Sequence, residues 1–328
     1  MSVVGALLLA VRPAAAQSDP AEREDAGSAA ETAAFLLVPI GARSTGMGGA
    51  VAAARGDVEG ALWNPASLAG LEGGALFASG ADDFAATATS VGAVVAVARF
   101  RFGASYFRYD LGEIDARDAA NADIGTIEPA HGALIVTAAR RVLPWLDVGA
   151  NWKLVRLAAD CSGPCEAFDD TGSGSAFDVG AVAEPPGAPG VRIGVLLRNL
   201  GGGIGVSGGP EDALPARGRV GLEVSVPEAA GAAGGWSDGQ VDLVARLDLQ
   251  ETLTEFDDLD VHAGLELAWR GLLLARAGYA ASTDGRTGPT LGIGLRWERL
   301  TLDLARSFDD FSRFESGSPF QLSLAIGL

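Results

Sequence analysis

Through most of its length this chain alternates apolar and non-apolar residues one by one, and no later stretch is apolar enough to be a membrane helix. Residues 146–154 put Leu146, Val148, Ala150, Trp152 and Leu154 on one face, with Asp147, Gly149, Asn151 and Lys153 on the other. Val241–Gln250, Leu259–Trp269 and Pro319–Leu328 repeat the pattern. Successive side chains of a strand point to opposite sides, so each segment carries one greasy and one polar face. The hydrophobicity is therefore dispersed: 48% of the residues are hydrophobic and mean hydropathy is +0.24. A chain this apolar is not disordered. Its 24 Lys+Arg against 42 Asp+Glu give a net charge of −18, which repels nucleic acid. Two cysteines in 328 residues exclude a disulfide-stapled miniature fold.

The alternation predicts strands at 73–80, 87–98, 101–110, 131–141, 145–157, 175–184, 190–199, 217–226, 240–250, 259–269, 271–281, 288–297, 299–307 and 319–328. These number fourteen, most of them near the 9–11 residues a tilted strand needs to cross a bilayer. Tight turns alternate with longer polar loops at 111–130, 158–174, 200–216, 251–258, 282–287 and 308–318, with the segment 227–239 as an exception on the short side. Outer-membrane barrels sort their connections in this way. Trp145, Trp269 and Trp297 mark the short-turn ends, with Phe100 and Phe102. Phe107, Tyr109, Phe177, Tyr279, Phe308 and Phe320 mark the long-loop ends. Two interfacial belts are expected from amphipathic rings at headgroup depth.

In hydrocarbon every backbone N–H and C=O needs an internal partner, so strands span only as a closed cylinder. The polar faces carry Asp147, Lys153, Asp178, Arg192, Arg198, Glu223, Arg246, Asp248, Glu266, Arg276, Arg296 and Asp303. Facing lipid, an Arg or Lys costs about 2–4 kcal/mol at mid-depth, so these charges are expected to line the lumen. Their mixed signs point to ion pairing across it rather than to an ion-selective path.

Ahead of the strands, the apolar run of residues 1–11 and the small residues Ala14–Ala16 read as a signal peptide spanning 1–16. Residues 17–32 read as a flexible polar lead, and the Gly- and Ala-rich stretch 33–72 as short helices and turns. Within it stand Gly41-Ala42-Arg43, Gly46-Met47-Gly48-Gly49-Ala50 and Trp63-Asn64-Pro65-Ala66. This signature resembles that of the PorV/PorQ family of outer-membrane proteins, itself similar to FadL-type fatty-acid transporters; Ser67 stands where the family usually has Gly. The resemblance implies a hatch-like segment over 33–72, with Asn64-Pro65-Ala66 at its junction with a fourteen-stranded barrel over 73–328. It also implies binding or shuttling of exported proteins in type IX secretion, alternatively transport of hydrophobic small molecules. The implied motif residues are Gly46, Gly48, Gly49, Trp63, Asn64, Pro65 and Ala66.

Other chemistry is weak. Gly205-Val206-Ser207-Gly208-Gly209 matches G-x-S-x-G, but Pro210 follows where a nucleophile elbow needs a helix. Cys161 and Cys165 flank Ser-Gly-Pro and are expected to form a small disulfide in an exported loop. The Asp pairs at 82–83, 169–170, 257–258 and 309–310 lack calcium-loop spacing and read as solvated loop charge. The expectation is a non-enzymatic, all-β transmembrane barrel in the outer membrane of a diderm bacterium. Its partner is outer-membrane lipid, with no cofactor, no metal and no nucleic acid.

Overall fold

A computed structural model describes residues 31–83, 86–165, 170–205, 211–226, 241–253, 259–282, 286–310 and 320–328. The signal peptide, most of the polar lead, Ser207 and the Asp169 and 257–258 positions lie outside the described residues. Fourteen antiparallel strands close on themselves. They are β1 Ala75–Asp83, β2 Ala86–Val97, β3 Phe100–Asp110, β4 Asp123–Leu143, β5 Leu146–Ser162, β6 Asp170–Ala183 and β7 Val191–Gly201. Then come β8 Arg217–Ser225, β9 Val241–Thr252, β10 Asp260–Trp269, β11 Leu273–Ala281, β12 Gly288–Trp297, β13 Leu300–Ser307 and β14 Phe320–Gly327. Each pairs with its neighbours in sequence, and β1 pairs with β14 in the register Leu76↔Ile326, so the cylinder has no edge. Apart from two steps of the β4–β5 ladder, the strands thereby pair their backbone groups without water, which is the condition for crossing lipid.

The strand bounds follow the predicted ones except at one flank. β4, β5 and β6 run on through most of the predicted loops 111–130 and 158–174, and a short strand Ile114–Arg117 pairs with the start of β4. These extensions carry no apolar stripe, because beyond the bilayer neither face meets lipid. Cys161 and Cys165 are disulfide-bonded at the top of this wall. A small hairpin, Gly203–Gly205 with Glu211–Ala213, fills much of the loop after β7.

Outward positions are apolar and exposed, among them Val179, Val220, Leu265, Leu291 and Ile293. Trp145, Trp269 and Trp297 face outward at the short-turn end, and Phe177, Tyr279, Phe308 and Phe320 at the other. Phe107 and Tyr109 depart from the predicted belt. They sit on the inward parity of β3, where Phe107 is buried and its ring centroid lies 5.6 Å from that of Phe35. No helix among the described residues is long and apolar enough to cross a membrane. A closed barrel with a lipid-facing apolar exterior is an outer-membrane protein.

Candidate functional site

The lumen is the candidate site, and the N-terminal segment occupies it. The segment runs through 3₁₀ turns at Ala34–Leu37, Val58–Leu62 and Pro65–Gly70 and a short helix, α1, Ala42–Gly46. Local chemistry sets each turn. Asp57 caps the second by accepting from the Glu59 N–H, and Asn64 caps the third by accepting from the Ala66 N–H at 3.1 Å, with Pro65 in the first turn. The Asn64 amide also donates to the Ala52 carbonyl at 2.6 Å, folding the segment back on itself. Ile40, Met47 and Leu68 are fully buried, and the Trp63 indole N–H donates to the Ile40 carbonyl at 2.9 Å.

The wall is shaped to receive this segment. Inward-facing Gly149, Gly180, Gly194, Gly221, Gly264, Gly278 and Gly292 stand where its backbone or side chains press against the strands. A side chain at Gly278 would collide with the Gly48 amide, one at Gly264 with the Met47 carbonyl, and one at Gly180 with Asn64. Gly48 and Gly49 take φ of +65° and +80°, the left-handed turn that lets the chain lie close against the inner face of the β10–β11 ladder. Gly46 abuts Gly292 and Arg276.

Charges hold the segment in place. Arg43 donates both Nε and Nη2 to Glu266, at 3.1 and 3.0 Å, and also reaches Asp57. Arg276 bridges Glu266 and Asp303 at 2.6 Å each. Asp248 accepts the N–H groups of Val51 and Ala52 at 2.8 Å each. Arg219 donates to the Gly49 carbonyl and to Gln250, which in turn donates to Asp260. Asp147 is shared by Arg55 and Arg141. Glu223 pairs with Arg192 and Arg246 at 2.6 Å. Lys153 pairs with Asp178 at 2.8 Å, and Asn151 and Asn199 satisfy the remaining bonds of that carboxylate. Arg198 donates to the Leu36 carbonyl and lies over the Trp63 ring. Arg296 stands at the short-turn mouth, exposed to water. Isolated charges would be prohibitive here, and pairing with opposite charges and hydrogen bonds makes them tolerable, although among the described residues Asp248 Oδ1, Arg276 Nη2 and Arg198 Nε stay without a hydrogen-bond partner.

Two groups of the segment have displaced proton affinities. Burial would lower the affinity of Arg43 for its proton, but the carboxylates of Glu266 and Asp57 more than offset it, so the guanidinium is held charged. Burial raises the pKa of Glu59 to about 8, and the neighbouring Asp57 charge adds to the shift.

The segment divides the lumen. On the long-loop side lies a cavity of about 270 Å³ bounded by Leu37, Pro39, Val51 and Trp63, with Arg219, Asp260 and His262 on its polar wall. On the short-turn side lies an ionic chamber of about 620 Å³. A third recess, about 430 Å³, is bordered by Phe35, Val38, Tyr109, His131 and Leu157. His131 also borders a recess on the outside of the wall, where the β4–β5 ladder lacks the pairs expected at Ala130 and His131. Pro129, which has no N–H, precedes this gap.

Sequence reasoning missed Arg43, Asp57, Glu59, Arg219 and His262 as parts of the site. The available signal was the glycines at polar-face positions such as Gly149 and Gly264, which mark close backbone approach. Among the described residues no group of three or more His, Cys, Asp or Glu side chains is placed to hold a metal ion.

Fold and lumen together define a fourteen-stranded outer-membrane barrel with its N-terminal segment lodged in the lumen. No family model and no curated protein matches the chain. Solved structures of this fold do. The Ralstonia pickettii toluene transporter TbuX matches at 16% identity and TM-score 0.54, over 89% of this chain and 98% of that one. The P. putida toluene transporter TodX matches at 12% and 0.55, over 88% and 98%. A Pseudomonas aeruginosa FadL homologue matches at 14% and 0.53, over 88% and 99%. At such identities the likeness is one of fold.

Proposed function

We propose that this barrel passes hydrophobic small molecules across the outer membrane and has no catalytic role. On this reading residues 1–16 are its export signal and 33–72 its resident hatch. The observation that carries it is the weak seam in the wall. An apolar recess inside the barrel and another recess outside meet at His131, where two ladder steps between β4 and β5 are unbridged. A small apolar solute entering from the long-loop side can leave sideways there without crossing the ionic chamber below. The fold neighbours, two of them described as toluene transporters, support the same reading.

The test is uptake of radiolabelled toluene and of a long-chain fatty acid by cells with and without the protein. A several-fold gain for at least one solute is expected. His131→Cys with Leu157→Cys, at the unbridged step between the pairs Pro129↔Ala159 and Gly132↔Arg156, is expected to close the seam as a disulfide and abolish the gain until reductant is added. Equal uptake with and without the protein would refute the reading.

A second reading, handling of exported proteins in the PorV/PorQ manner, is favoured by the N-terminal signature. Its residues Trp63, Asn64, Pro65 and Ala66 are all buried in the lumen. In-cell cross-linking that recovers exported proteins sharing a C-terminal β-domain, with no change in solute uptake, would select it.

A further inference from the structure

The recess outside the seam, on the lipid-facing surface of β3, β4 and β5, carries charges that passage of an apolar solute does not require. Arg108 on β3 is the register partner of Gly132 on β4, and Gly132 is the partner of Arg156 on β5. The order across the wall is therefore Arg–Gly–Arg, all on the outward parity, with the two arginine backbones about 10 Å apart at two strand spacings. Gly132 presents no side chain, so a recess of about 420 Å³ opens over it. A Cβ there would meet the Tyr106 hydroxyl. One step toward the short-turn end, Tyr106, Leu134 and Leu154 are register partners and are exposed on the same face.

Arginine is expensive on a lipid-facing wall unless it sits at headgroup depth. Arg108 leans on Asp110 at 2.6 Å. Among the described residues Arg156 has no ion-pair partner. Two steps above the arginine row, Glu128 and Asp160 face each other across β4 and β5. The column thus runs from apolar, through cationic, to anionic in the outward direction. A lipid matching it has acyl chains against Leu134, Leu154 and Tyr106, and a phosphate between the two guanidinium groups. Above that it has neutral, hydroxyl-rich substance that donates to carboxylates. A phosphate higher in the headgroup would meet Glu128 and Asp160 and be repelled.

We propose that this notch binds a phosphorylated saccharide lipid of the outer leaflet, with one phosphate held by Arg108 and Arg156 over Gly132. Long loops face the cell exterior in such barrels, so the notch stands in the outer leaflet, where glycolipid of this kind resides. The assignment goes beyond the transport reading and needs only that the barrel span the membrane. Charge-assisted bonds from planar guanidinium groups to phosphate oxygens supply the recognition.

The test is native mass spectrometry of the delipidated full chain in detergent, with monophosphoryl lipid A, enzymatically dephosphorylated lipid A and phosphatidylglycerol as probes. Monophosphoryl lipid A is expected to remain bound, with at least tenfold lower occupancy for the dephosphorylated form. Arg108→Gln with Arg156→Gln is expected to lose binding about tenfold or more while keeping the heat-modifiable gel shift of a folded barrel. Gly132→Leu, which fills the notch and leaves both arginines in place, is expected to lose binding too. Retention unchanged in the arginine variant, equal retention of the dephosphorylated lipid, or equal retention of phosphatidylglycerol would overturn the proposal. Should the double variant fail to fold, Arg156→Gln alone decides it by the same readout.

Discussion

Lys153 is the chain's single lysine, and the barrel buries it to 1% exposure beside Asp178. Its ammonium is closed off by Asp178 and Asn199, so an amine-reactive label is expected to leave it untouched in the folded protein and to modify it after denaturation, as read by peptide mass. Lys153→Met alone leaves Asp178 uncompensated and should cost about 3–5 kcal/mol. Lys153→Met with Asp178→Leu should recover most of that, and urea unfolding in lipid vesicles separates the two. Glu59 makes a pH prediction. Its folded pKa of about 8 lies above its ordinary 4.5, so the folded form holds the proton more tightly. The stabilisation is complete below about pH 4.5, declines as pH rises toward 8 and is flat above. Hydrogen exchange at residues 57–63 is expected to quicken between pH 5 and 8, and Glu59→Gln to remove that dependence. Exchange in the wild type that shows no such pH trend, after correction for intrinsic rates, would count against the buried acid.

At the scale of elements, the wall glycines and the N-terminal segment are complementary. Gly278→Leu would drive a side chain into the Gly48 amide and is expected to displace residues 46–52, exposing them to protease while the barrel still forms. Gly80→Ala, which meets nothing within 4 Å, is the silent control. Strand positions were legible in the sequence because lipid on one side and a polar lumen on the other impose alternation residue by residue. The upper halves of β4 and β5 were not legible, since above the bilayer no such pressure acts on Ile124, Thr126 or Ala159. Nor could Phe107 and Tyr109 be placed, because aromatic residues suit both the interface and the packing around Phe35. The union of Arg43 with Glu266 joins residues 223 positions apart and exists only once the cylinder closes, so no local pattern announces it.

For the whole molecule, the resident segment and its ionic ties predict poor ion conduction. In planar bilayers the wild type should show low conductance. Arg43→Ala with Asp248→Asn, which removes the Glu266 tie and weakens the acceptor of Val51 and Ala52, should raise it several-fold. A large open conductance in the wild type would mean that the segment leaves the lumen.

The tall flank has a separate consequence. β4 spans 21 residues where about ten suffice, so roughly 35 Å of strand stands clear of the hydrocarbon on this flank, more than at any other strand among the described residues. This flank stands over the opening as a parapet. Phages and antibodies, too large for the opening, would first touch the parapet's crest around Asp118–Asp123 and the Cys161–Cys165 loop, so selection by such agents can remodel that crest while leaving traffic through the mouth unaltered.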